Sequence, residues 1–522
     1  MKIAQTYYKF NLDKSLLSIR RQCPAFCSNK QDKFEMSIGY VNDIHGQTNN
    51  MLRILSGIKG DLRLSSGDIN TGNKNSKKNN LVGIEFMNLA QIRATTIGNH
   101  EMDTSQGDLS DTLKHYRGDV LVANMHKLPN WQNKKDNLAE YDRIDLDKKF
   151  VKSSIVKIKG EKIGLIGVMP TDLQTRISYP QYHTDCIVDD IDTTIKDVQG
   201  ETNKLKAQKV NKIFLLSHLG LENDKKVAKQ TDGIDVIIGG HTHEVIRDIK
   251  EGENLFYSKS NEPVILTQAG KNGNYFGLLN LTFDENGVIT KAQNNLGESK
   301  LFRKNLINQY LFEKIIGKSE LVGYIEEVLP ATSSKLQENP HVNFVCDAMR
   351  EESGADIAIW QVSGIRGAFQ VGDIDSSEVK ELSPFGAELG LINLSEAVIV
   401  DAFNYAIKES YNAKDNRPGI LGISGLEYTI DRTNKKLAAM NFIDKDGHKI
   451  AIDIENPRKD KTYKVIADNY FLFAGADYLK LAEPDDCIKI FPEGKDDMTC
   501  QYIKKLNKPI VINQIGRINY VD

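Results

Sequence analysis

Residues 36–45 read MSIGYVNDIH, an apolar run that ends in a group of polar side chains. The apolar part, Met36 to Val41, predicts a buried strand. Asn42, Asp43 and His45 follow it directly. A side chain just past the carboxyl end of a strand lies at the rim of an open α/β sheet, where such folds build their sites. This stretch therefore predicts a sheet and a site at its edge.

The same arrangement occurs four more times along the chain. The further apolar runs, each predicting a buried strand, are Leu62 to Ser66, Ala94 to Ile97, Lys212 to Leu216 and Val236 to Ile238. The polar motifs that follow them are Gly67-Asp68, Gly98-Asn99-His100-Glu101, Ser217-His218 and Gly239-Gly240-His241-Thr242-His243. Taken singly, each motif is ordinary, since Gly-Asp is a common turn and a lone histidine is more often a core residue than a ligand. Five of the ten histidines fall inside these motifs, so chance is a poor explanation for the pattern.

Length and pattern together predict several domains. At 522 residues the chain is too long for one hydrophobic core. Apolar runs alternate with helical patterns such as Thr48 to Ile58 and Leu81 to Ile92, which is α/β order. We expect an N-terminal extension at 1–34, a catalytic α/β domain at 35–299, an interdomain helix at 300–319 and a smaller α/β or α+β domain at 320–522.

Composition argues against several classes of partner. The net charge is −3, and the basic stretches have no aromatic platform beside them, so we expect no nucleic-acid partner. No run approaches the roughly 18 apolar residues that span a bilayer, and we expect no membrane insertion. The first 34 residues lack a secretory segment, and the six cysteines lack the density of a disulfide scaffold. We therefore expect free thiols and a cytoplasmic location, while monomer or dimer stays open.

The donor groups of the five motifs suit a pair of divalent metal ions. Two cations close together need a shared anionic ligand, because they would otherwise repel each other. Asp68 is the candidate for that bridge. Carboxylate, imidazole and amide donors without thiolate suit Mn²⁺, Fe²⁺, Co²⁺, Ni²⁺ or Zn²⁺. The other candidate ligands are Asp43, His45, Asn99, His218, His241 and His243.

The order D-x-H, G-D, G-N-H-E, S-H and G-H-x-H resembles that of the calcineurin-like metallophosphoesterases. The resemblance implies a four-layer α-β-β-α sandwich and hydrolysis of a phosphoester by metal-activated hydroxide. It also implies two ligand sets that share the bridging carboxylate. One ion would be held by Asp43, His45, Asp68 and His243, and the other by Asp68, Asn99, His218 and His241.

His100 follows a candidate ligand directly, and we assign it a different role. It can donate a hydrogen bond to a phosphoryl or leaving-group oxygen as charge builds there. Asp103, three residues later, can keep the imidazole charged and oriented. In the family that the chain resembles, these positions form a catalytic dyad. The alternative for Asp103 is a carboxylate at a helix start, which spacing alone does not separate from the dyad.

Residues 343–518 resemble the C-terminal domain of the bacterial and extracellular 5′-nucleotidases. The matching stretches include Ser363-Gly364-Ile365-Arg366, Pro384-Phe385-Gly386 and Phe471-Leu472-Phe473-Ala474-Gly475-Ala476-Asp477. The resemblance implies that Arg366 binds phosphate, that Phe385 and Phe471 sandwich the base, and that Asp477 holds the ribose. Without it, both phenylalanines would be interpreted as core residues.

The sequence therefore predicts a dinuclear-metal phosphohydrolase that releases phosphate from nucleoside 5′-monophosphates. The loop from Gln361 to Gly364 departs from the Asn-Gly-Gly-Gly of the family, so a 2′,3′-cyclic-nucleotide phosphodiesterase or a nucleotide-sugar hydrolase stays an alternative. A nucleotide-binding relative without turnover is the alternative from another class. Loss of the bridging carboxylate or of the dyad would favour it, and the chain keeps both. We also expect a hinge, because catalysis and base recognition lie on separate domains.

Overall fold

The structure is a computed structural model, and it describes residues 17–18, 34–70, 77–127, 150–177, 186–332, 334–383, 388–413, 418–474 and 480–522. The strands of the first part are β1 (Leu17–Ser18), β2 (Phe34–Val41), β3 (Leu62–Ser65), β4 (Ala94–Thr95), β5 (Asp119–Val120), β6 (Met125–Lys127), β7 (Ser153–Ile158), β8 (Glu161–Val168), β9 (Cys186–Val188), β10 (Ile213–Ser217), β11 (Val236–Ile238), β12 (Leu255–Tyr257), β13 (Pro263–Thr267), β14 (Tyr275–Phe283) and β15 (Ile289–Glu298). Its helices are α1 (Thr48–Gly57), α2 (Lys77–Leu89), α3 (Gln106–Leu113), α4 (Ile191–Ala207) and α5 (Leu221–Gln230), followed by α6 (Leu306–Ile316).

Two sheets form the centre of this part. One has the strand order β1-β15-β14-β2-β3-β4-β5 and the other the order β12-β13-β11-β10-β8-β7. Strands β2 to β5 are parallel neighbours, as are β8, β10, β11 and β13. Leu64 of one sheet and Phe214 of the other lie in a shared core between the sheets. Residues of α1, α2 and α3 pack on one outer face and those of α4 and α5 on the other, which confirms the four-layer sandwich.

The five predicted strands are present, with small differences at their ends. The largest differences are two residues long: β2 begins at Phe34 instead of Met36, and β4 ends at Thr95 and does not continue to Ile97. Just past that end, the Thr96 hydroxyl donates to the carbonyl of Val168, on the other sheet. The two helices predicted from periodicity correspond to α1 and α2. Among the described residues, none of the helices combines the length and the apolar character needed to cross a bilayer.

Helix α6 lies in the stretch that we assigned to the interdomain helix. Its buried residue is Phe312, which is 2% exposed and packs into the core formed with α1 and α2. Leu306 and Tyr310 of the predicted apolar face are 77% and 57% exposed. The division of the chain at 1–34, 35–299, 300–319 and 320–522 stays a prediction.

The second part has its own sheets. Its strands are β16 (Leu321–Val328), β17 (Ile357–Gln361), β18 (Gly372–Asp375), β19 (Leu389–Ser395), β20 (Leu421–Ser424), β21 (Leu426–Asp431), β22 (Lys436–Ile443), β23 (Lys449–Ile452), β24 (Thr462–Asp468), β25 (Lys489–Phe491), β26 (Ile510–Ile512) and β27 (Ile518–Val521). Its helices are α7 (Pro340–Ser353), α8 (Ser376–Leu382), α9 (Glu396–Asn412) and α10 (Lys495–Leu506). The central sheet, of order β20-β17-β24-β19-β25, has α9 on one face and α7 on the other.

The two parts meet at the first turn of α1. The Glu381 carboxylate of α8 accepts hydrogen bonds from the Asn49 backbone N–H at 2.6 Å and from the Thr48 hydroxyl at 3.0 Å. Gln47 donates its side-chain N–H to the Glu381 carbonyl at 2.8 Å. Helix N-termini carry unsatisfied N–H groups and partial positive charge, so a carboxylate is a favourable cap. These hydrogen bonds hold α8 of the second part against residues 47–49, which follow β2 in the first part.

Candidate active site

The five polar motifs meet at the carboxyl ends of β2, β3, β4, β10 and β11. Asp68 Oδ2 lies between two histidines, 3.1 Å from His218 Nε2 and 3.5 Å from His45 Nε2. Asp43 Oδ1 lies 3.3 Å from His243 Nε2 and 3.9 Å from His45 Nε2. The structure thus brings five of the seven candidate ligands into one cluster.

The remaining two candidate ligands lie beside that cluster. Asn99 Oδ1 is 3.0 Å from His241 Nδ1, and the His241 backbone N–H donates to Asp43. The ring centroids of His241 and His218 are 5.2 Å apart. His241 Nε2 lies 3.3 Å from Oδ1 of Asp172, a carboxylate in the loop that follows β8. All seven candidates are therefore brought together, and Asp172 joins them as an additional acidic neighbour.

Unusual backbone conformations aim these side chains into the site. The left-handed region is sparsely occupied by residues other than glycine and costs about 1 to 3 kcal/mol for each residue. Five of the candidate ligands have this left-handed conformation, with φ between 50° and 75°. They are Asp43, His45, Asp68, His241 and His243. These left-handed residues lie on separate loops. Their occurrence indicates that the fold stabilises strained backbone conformations where side chains must converge on one point.

Two motif glycines are required by close approach. A β-carbon on Gly98 would lie 2.0 Å from Asp68 Oδ1, and one on Gly240 would lie 2.8 Å from His218 Nδ1. Both contacts are far shorter than ordinary van der Waals distances. Any side chain at these positions would displace a candidate ligand.

The site concentrates buried negative charge. Asp43 and Asp68 are 0% and 1% exposed, and their ion-pair partners among the described residues are histidines alone. Burial by itself would raise the pKa of Asp68, but the charges of His218 and His100 outweigh it and hold that pKa well below its usual value. Burial by itself would lower the pKa of His218, but Asp68 and Asp43 outweigh it and raise that pKa to about 10. A cation is needed to balance these carboxylates when the histidines are neutral.

The donor atoms fit divalent metal ions. His45 Nε2 and His218 Nε2 are buried and have no hydrogen-bond partner in the described part of the chain, although both approach Asp68. Two donors about 2.1 Å from one ion, at angles from octahedral to tetrahedral, lie about 3.0 to 3.4 Å apart. The nitrogen-to-oxygen distances of 3.1 and 3.3 Å fall within that spacing, and the distance of 3.5 Å lies just beyond it. The residues present therefore fit the metal ions that the sequence pattern predicts.

His100 and Asp103 are in contact, as the dyad expected from the family resemblance requires. His100 Nδ1 lies 2.6 Å from Asp103 Oδ2, and Asp103 is 1% exposed. Burial would lower the pKa of His100, but Asp68 and Asp103 outweigh it and raise that pKa above its usual value. A ring nitrogen of His100 also lies within 4.8 Å of donor atoms on His45 and Asp68. Since Asp103 holds Nδ1, the opposite edge of the ring is the one that can serve a substrate.

Glu101 is a site residue to which sequence reasoning assigned no role, although it belongs to a quoted motif. Its Oε1 accepts backbone N–H groups from Ile69 at 2.8 Å and Asn70 at 3.1 Å. Its Oε2 accepts those of Asp68 at 2.8 Å and Gly98 at 2.9 Å. One buried carboxylate thus ties the loop of the bridging candidate to the loop after β4. Burial and the charge of Asp68 raise the pKa of Glu101 to about 7, against the effect of these four donors.

Arg366 reaches the site from the second part of the chain. Its charge lies close enough to His100 to act on the pKa of that ring. Its guanidinium donates to the carbonyl of Ser363 at 2.6 Å, and its backbone N–H donates to Leu382 at 2.9 Å. The charge of this predicted phosphate-binding residue thus acts on the predicted catalytic pair.

Of the other three predicted substrate residues, Phe471 alone lies within the described part of the chain. Phe471 is 1% exposed and packs in the core of the second part. Phe385 and Asp477 lie outside the described residues. The assignment of Phe471, Phe385 and Asp477 to substrate binding stays a prediction.

Two further residues that sequence reasoning missed follow strands in the same way as the motifs do. Asp172 follows β8, and Asn272 follows β13. Their position past a strand end was the available signal, but each lies several residues from its strand and outside a recognisable motif. Asn272 contacts a candidate ligand, since its Oδ1 lies 3.1 Å from His45 Nδ1.

Comparison with known proteins agrees with this geometry. The family model of the calcineurin-like phosphoesterases matches residues 36–245, and that of the 5′-nucleotidase C-terminal domain matches residues 315–483. The chain is 28% identical, over 94% of its length, to the trifunctional nucleotide phosphoesterase protein YfkN of Bacillus subtilis (strain 168), and it spans 35% of that relative. It is 24% identical to the snake venom 5′-nucleotidase of Crotalus adamanteus, over 81% of this chain and 74% of that one.

A solved structure shares the fold. The 5′-nucleotidase precursor from Thermus thermophilus has a TM-score of 0.69 and 22% identity, and the match covers 94% of this chain and 100% of that one. The chain belongs to the 5′-nucleotidase-like metallophosphoesterases, with a calcineurin-like phosphoesterase domain followed by a 5′-nucleotidase C-terminal domain. This confirms the predicted family and its class, phosphoester hydrolases that use divalent metals and act on small nucleotides.

Proposed function

We propose that the protein is a 5′-nucleotidase that binds two divalent metal ions and releases phosphate from nucleoside 5′-monophosphates. The observation that carries the proposal is Asp68, a buried carboxylate with an unpartnered imidazole nitrogen on each side, at 3.1 and 3.5 Å. A carboxylate between two sets of nitrogen donors is the arrangement that a pair of cations needs in order to lie close together.

The ligands fall into two sets that share Asp68. We assign Asp43, His45 and His243 to one ion, since their donor atoms lie within 4.8 Å of one another. We assign His218, His241 and Asn99 to the other, on the contacts described above. Metal ions held there would supply positive charge for phosphoryl oxygens and lower the pKa of a water molecule. Carboxylate, imidazole and amide donors suit Mn²⁺, Zn²⁺, Fe²⁺, Co²⁺ or Ni²⁺.

His100 and Arg366 act on the phosphate itself. Burial opposes the charged form of His100, but Asp68 and Asp103 outweigh it and raise the pKa of the ring, which favours its role as a hydrogen-bond donor to a phosphoryl or leaving-group oxygen. Asp103 keeps that ring oriented through Nδ1. Arg366 adds a planar cation that pairs with phosphate oxygens through two N–H groups. Together these residues stabilise the negative charge that grows as the ester bond breaks.

Activity on a second type of phosphoester is the other candidate. The relative from Bacillus subtilis is named a trifunctional nucleotide phosphoesterase, which favours a broader range of nucleotide esters. A 2′,3′-cyclic-nucleotide phosphodiesterase or a nucleotide-sugar hydrolase would use the same metal site and differ at the base-side loop. In that case the preference for one type of nucleotide ester would depend on the residues that we propose to contact the nucleoside, which are Phe385, Phe471 and Asp477.

The proposal is tested by phosphate release from a panel of nucleotides. The metal-free protein would be loaded with Mn²⁺ and given AMP, 2′,3′-cyclic AMP, a nucleotide sugar and p-nitrophenyl phosphate. We expect the highest kcat/KM for AMP, and a loss of turnover on the order of 100- to 1,000-fold in Asp68→Asn, the usual contribution of one such electrostatic group. Release of phosphate by chelator-treated protein at the wild-type rate would refute the metal assignment. Preference for the cyclic nucleotide would transfer the proposal to the second candidate.

We also propose a cytoplasmic location. Cys346, Cys487 and Cys500 are free thiols in the described part of the chain, and burial raises the pKa of Cys500 to about 12, so it stays protonated. Such thiols are typical of a reducing compartment. Cell fractionation that finds the protein outside the cytoplasm would contradict this.

A further inference from the structure

Asn272 uses both of its backbone polar groups at the junction of the metal site and the second domain. Its backbone N–H donates to the carbonyl of Asp43 at 2.6 Å, and its own carbonyl accepts from the Asn50 side chain at 2.8 Å. The residue is 8% exposed and has a φ of 58°, a conformation that asparagine tolerates better than most residues. The backbone of Asn272 is therefore fixed to the loop that carries two candidate ligands.

The side chain of Asn272 joins two residues that belong to different domains. Its Nδ2 donates to the backbone carbonyl of Arg366, and its Oδ1 lies 3.1 Å from His45 Nδ1. A backbone carbonyl can only accept a hydrogen bond, so the amide nitrogen must face Arg366 and the amide oxygen must face His45. The His45 ring then carries its proton on Nδ1. That tautomer leaves Nε2, the buried nitrogen beside Asp68, with a free lone pair.

The same amide holds the main chain of Arg366. The backbone N–H of Arg366 donates to the Leu382 carbonyl at 2.9 Å, so the contact with Asn272 holds the second polar group of this peptide segment. The two contacts fix the main chain from which the guanidinium extends. A neighbour, Gly367, is packed so closely that an added β-carbon would lie 3.0 Å from the Glu381 carbonyl. The segment is therefore packed closely against α8 of its own domain.

We infer that Asn272 is a positioning residue that couples the orientation of the metal ligand His45 to the seating of the phosphate-binding Arg366 over the site. This rests on the proposed function, because it takes His45 as a ligand and Arg366 as a phosphate contact. When the amide oxygen orients His45, the amide nitrogen is presented to the second domain. Metal binding and phosphate binding are thus linked through one side chain.

Two variants separate the two halves of the amide. Asn272→Asp keeps an oxygen acceptor for His45 and replaces the donor with an oxygen that faces the Arg366 carbonyl. Asn272→Gly removes both contacts and tolerates the positive φ. Asn261→Gly is the matched control, since Asn261 is an exposed asparagine with a φ of 61° in the loop between β12 and β13.

The readouts are two equilibrium affinities that need no turnover. Calorimetry would measure the binding of Mn²⁺ to metal-free protein and then of inorganic phosphate to Mn²⁺-loaded protein. For Asn272→Asp we expect Mn²⁺ affinity within about threefold of wild type and phosphate affinity about tenfold weaker. For Asn272→Gly we expect Mn²⁺ affinity about 10 to 100-fold weaker, the usual effect of losing a partner of a ligating histidine, and weaker phosphate binding. The control should match wild type in both.

Unchanged phosphate affinity in Asn272→Asp, or unchanged Mn²⁺ affinity in Asn272→Gly, would overturn the inference. If Asn272→Gly does not fold, Asn272→Asp alone tests the inference. Its phosphate affinity must then fall while its Mn²⁺ affinity stays close to that of wild type. A wild-type protein that binds Mn²⁺ and phosphate but releases no phosphate from any nucleotide would refute the proposed function and leave this test intact. A wild-type protein that binds no Mn²⁺ would refute both.

Discussion

Replacement of Glu101 by glutamine isolates the contribution of one carboxylate to the site. Each oxygen of Glu101 accepts two backbone N–H groups, those of Ile69 and Asn70 on Oε1 and those of Asp68 and Gly98 on Oε2. Whichever way the glutamine amide turns, its NH₂ group replaces an oxygen that two donors face. A buried donor without a partner costs about 1 to 3 kcal/mol, so two of them cost about 2 to 6 kcal/mol.

Glu101→Gln should lower both the thermal stability of the protein and its affinity for metal ions. Scanning calorimetry at pH 8, above the pKa of about 7 of Glu101, would compare wild type and variant with the carboxylate ionised. For a domain of this size 1 kcal/mol corresponds to roughly 2 °C, so the first transition should fall by at least about 4 °C. Mn²⁺ affinity should fall as well, because the loop of Asp68 loses its anchor.

Glu201→Gln is the control for this substitution. Glu201 is also well covered, at 6% exposure, but its carboxylate bonds to the side chains of Ser153 and Lys204 and lies on α4. We expect it to cost no more than about 1 kcal/mol, as for most ion pairs near the surface. If Glu101→Gln melts within 1 °C of this control and binds Mn²⁺ like wild type, the four N–H contacts do not hold the site together.

Three further predictions concern the second domain and its contact with the first. Phe471→Ala should lower the free energy of unfolding by about 3 to 5 kcal/mol, because the ring is buried, and should raise KM for AMP more than for p-nitrophenyl phosphate; equal changes in KM would assign the ring to the core alone. Burial lowers the pKa of His341 to about 4, below its unfolded value of about 6.5, so its contribution to stability is present above pH 6.5 and is lost as pH falls towards 4. Wild type should therefore lose about 2 kcal/mol more than His341→Gln in urea unfolding between pH 7.5 and pH 5, and parallel curves would contradict this. Glu381→Ala removes the cap of α1 and should increase the radius of gyration in solution scattering, whereas an unchanged curve with and without AMP would argue against a hinge.

Much of the fold was predictable because strand ends are local features. The apolar runs before Asp43, Asp68 and His218 predicted β2, β3 and β10, and periodicity predicted α1 and α2. Helix α6 shows the limit of such patterns, since Phe312 is its buried residue while other apolar positions are exposed. Burial depends on what packs against a helix, and a one-dimensional pattern does not contain that partner.

The candidate ligands were likewise predictable from residue type and order, because metal chemistry restricts which side chains can serve. Their supporting residues were not. Asp172 and Asn272 lie in ordinary loops, and Glu101 acts through backbone groups of residues that are about 30 positions away. These hydrogen bonds are donated by backbone N–H groups, which every residue except proline possesses. The sequence therefore does not indicate which residues will be the partners.

The sequence by itself indicated the family, the two domains that the family models match and the set of candidate donors, since these follow from motifs after local apolar runs and from the chemistry of carboxylate and imidazole. Only the tertiary structure decided how those donors meet, with strained φ angles at Asp43 and Asp68, with Glu101 binding two loops together, and with Asn272 between His45 and Arg366. The physical reason is that convergence depends on the packing of strands and loops from distant parts of the chain. That packing is a property of the whole fold.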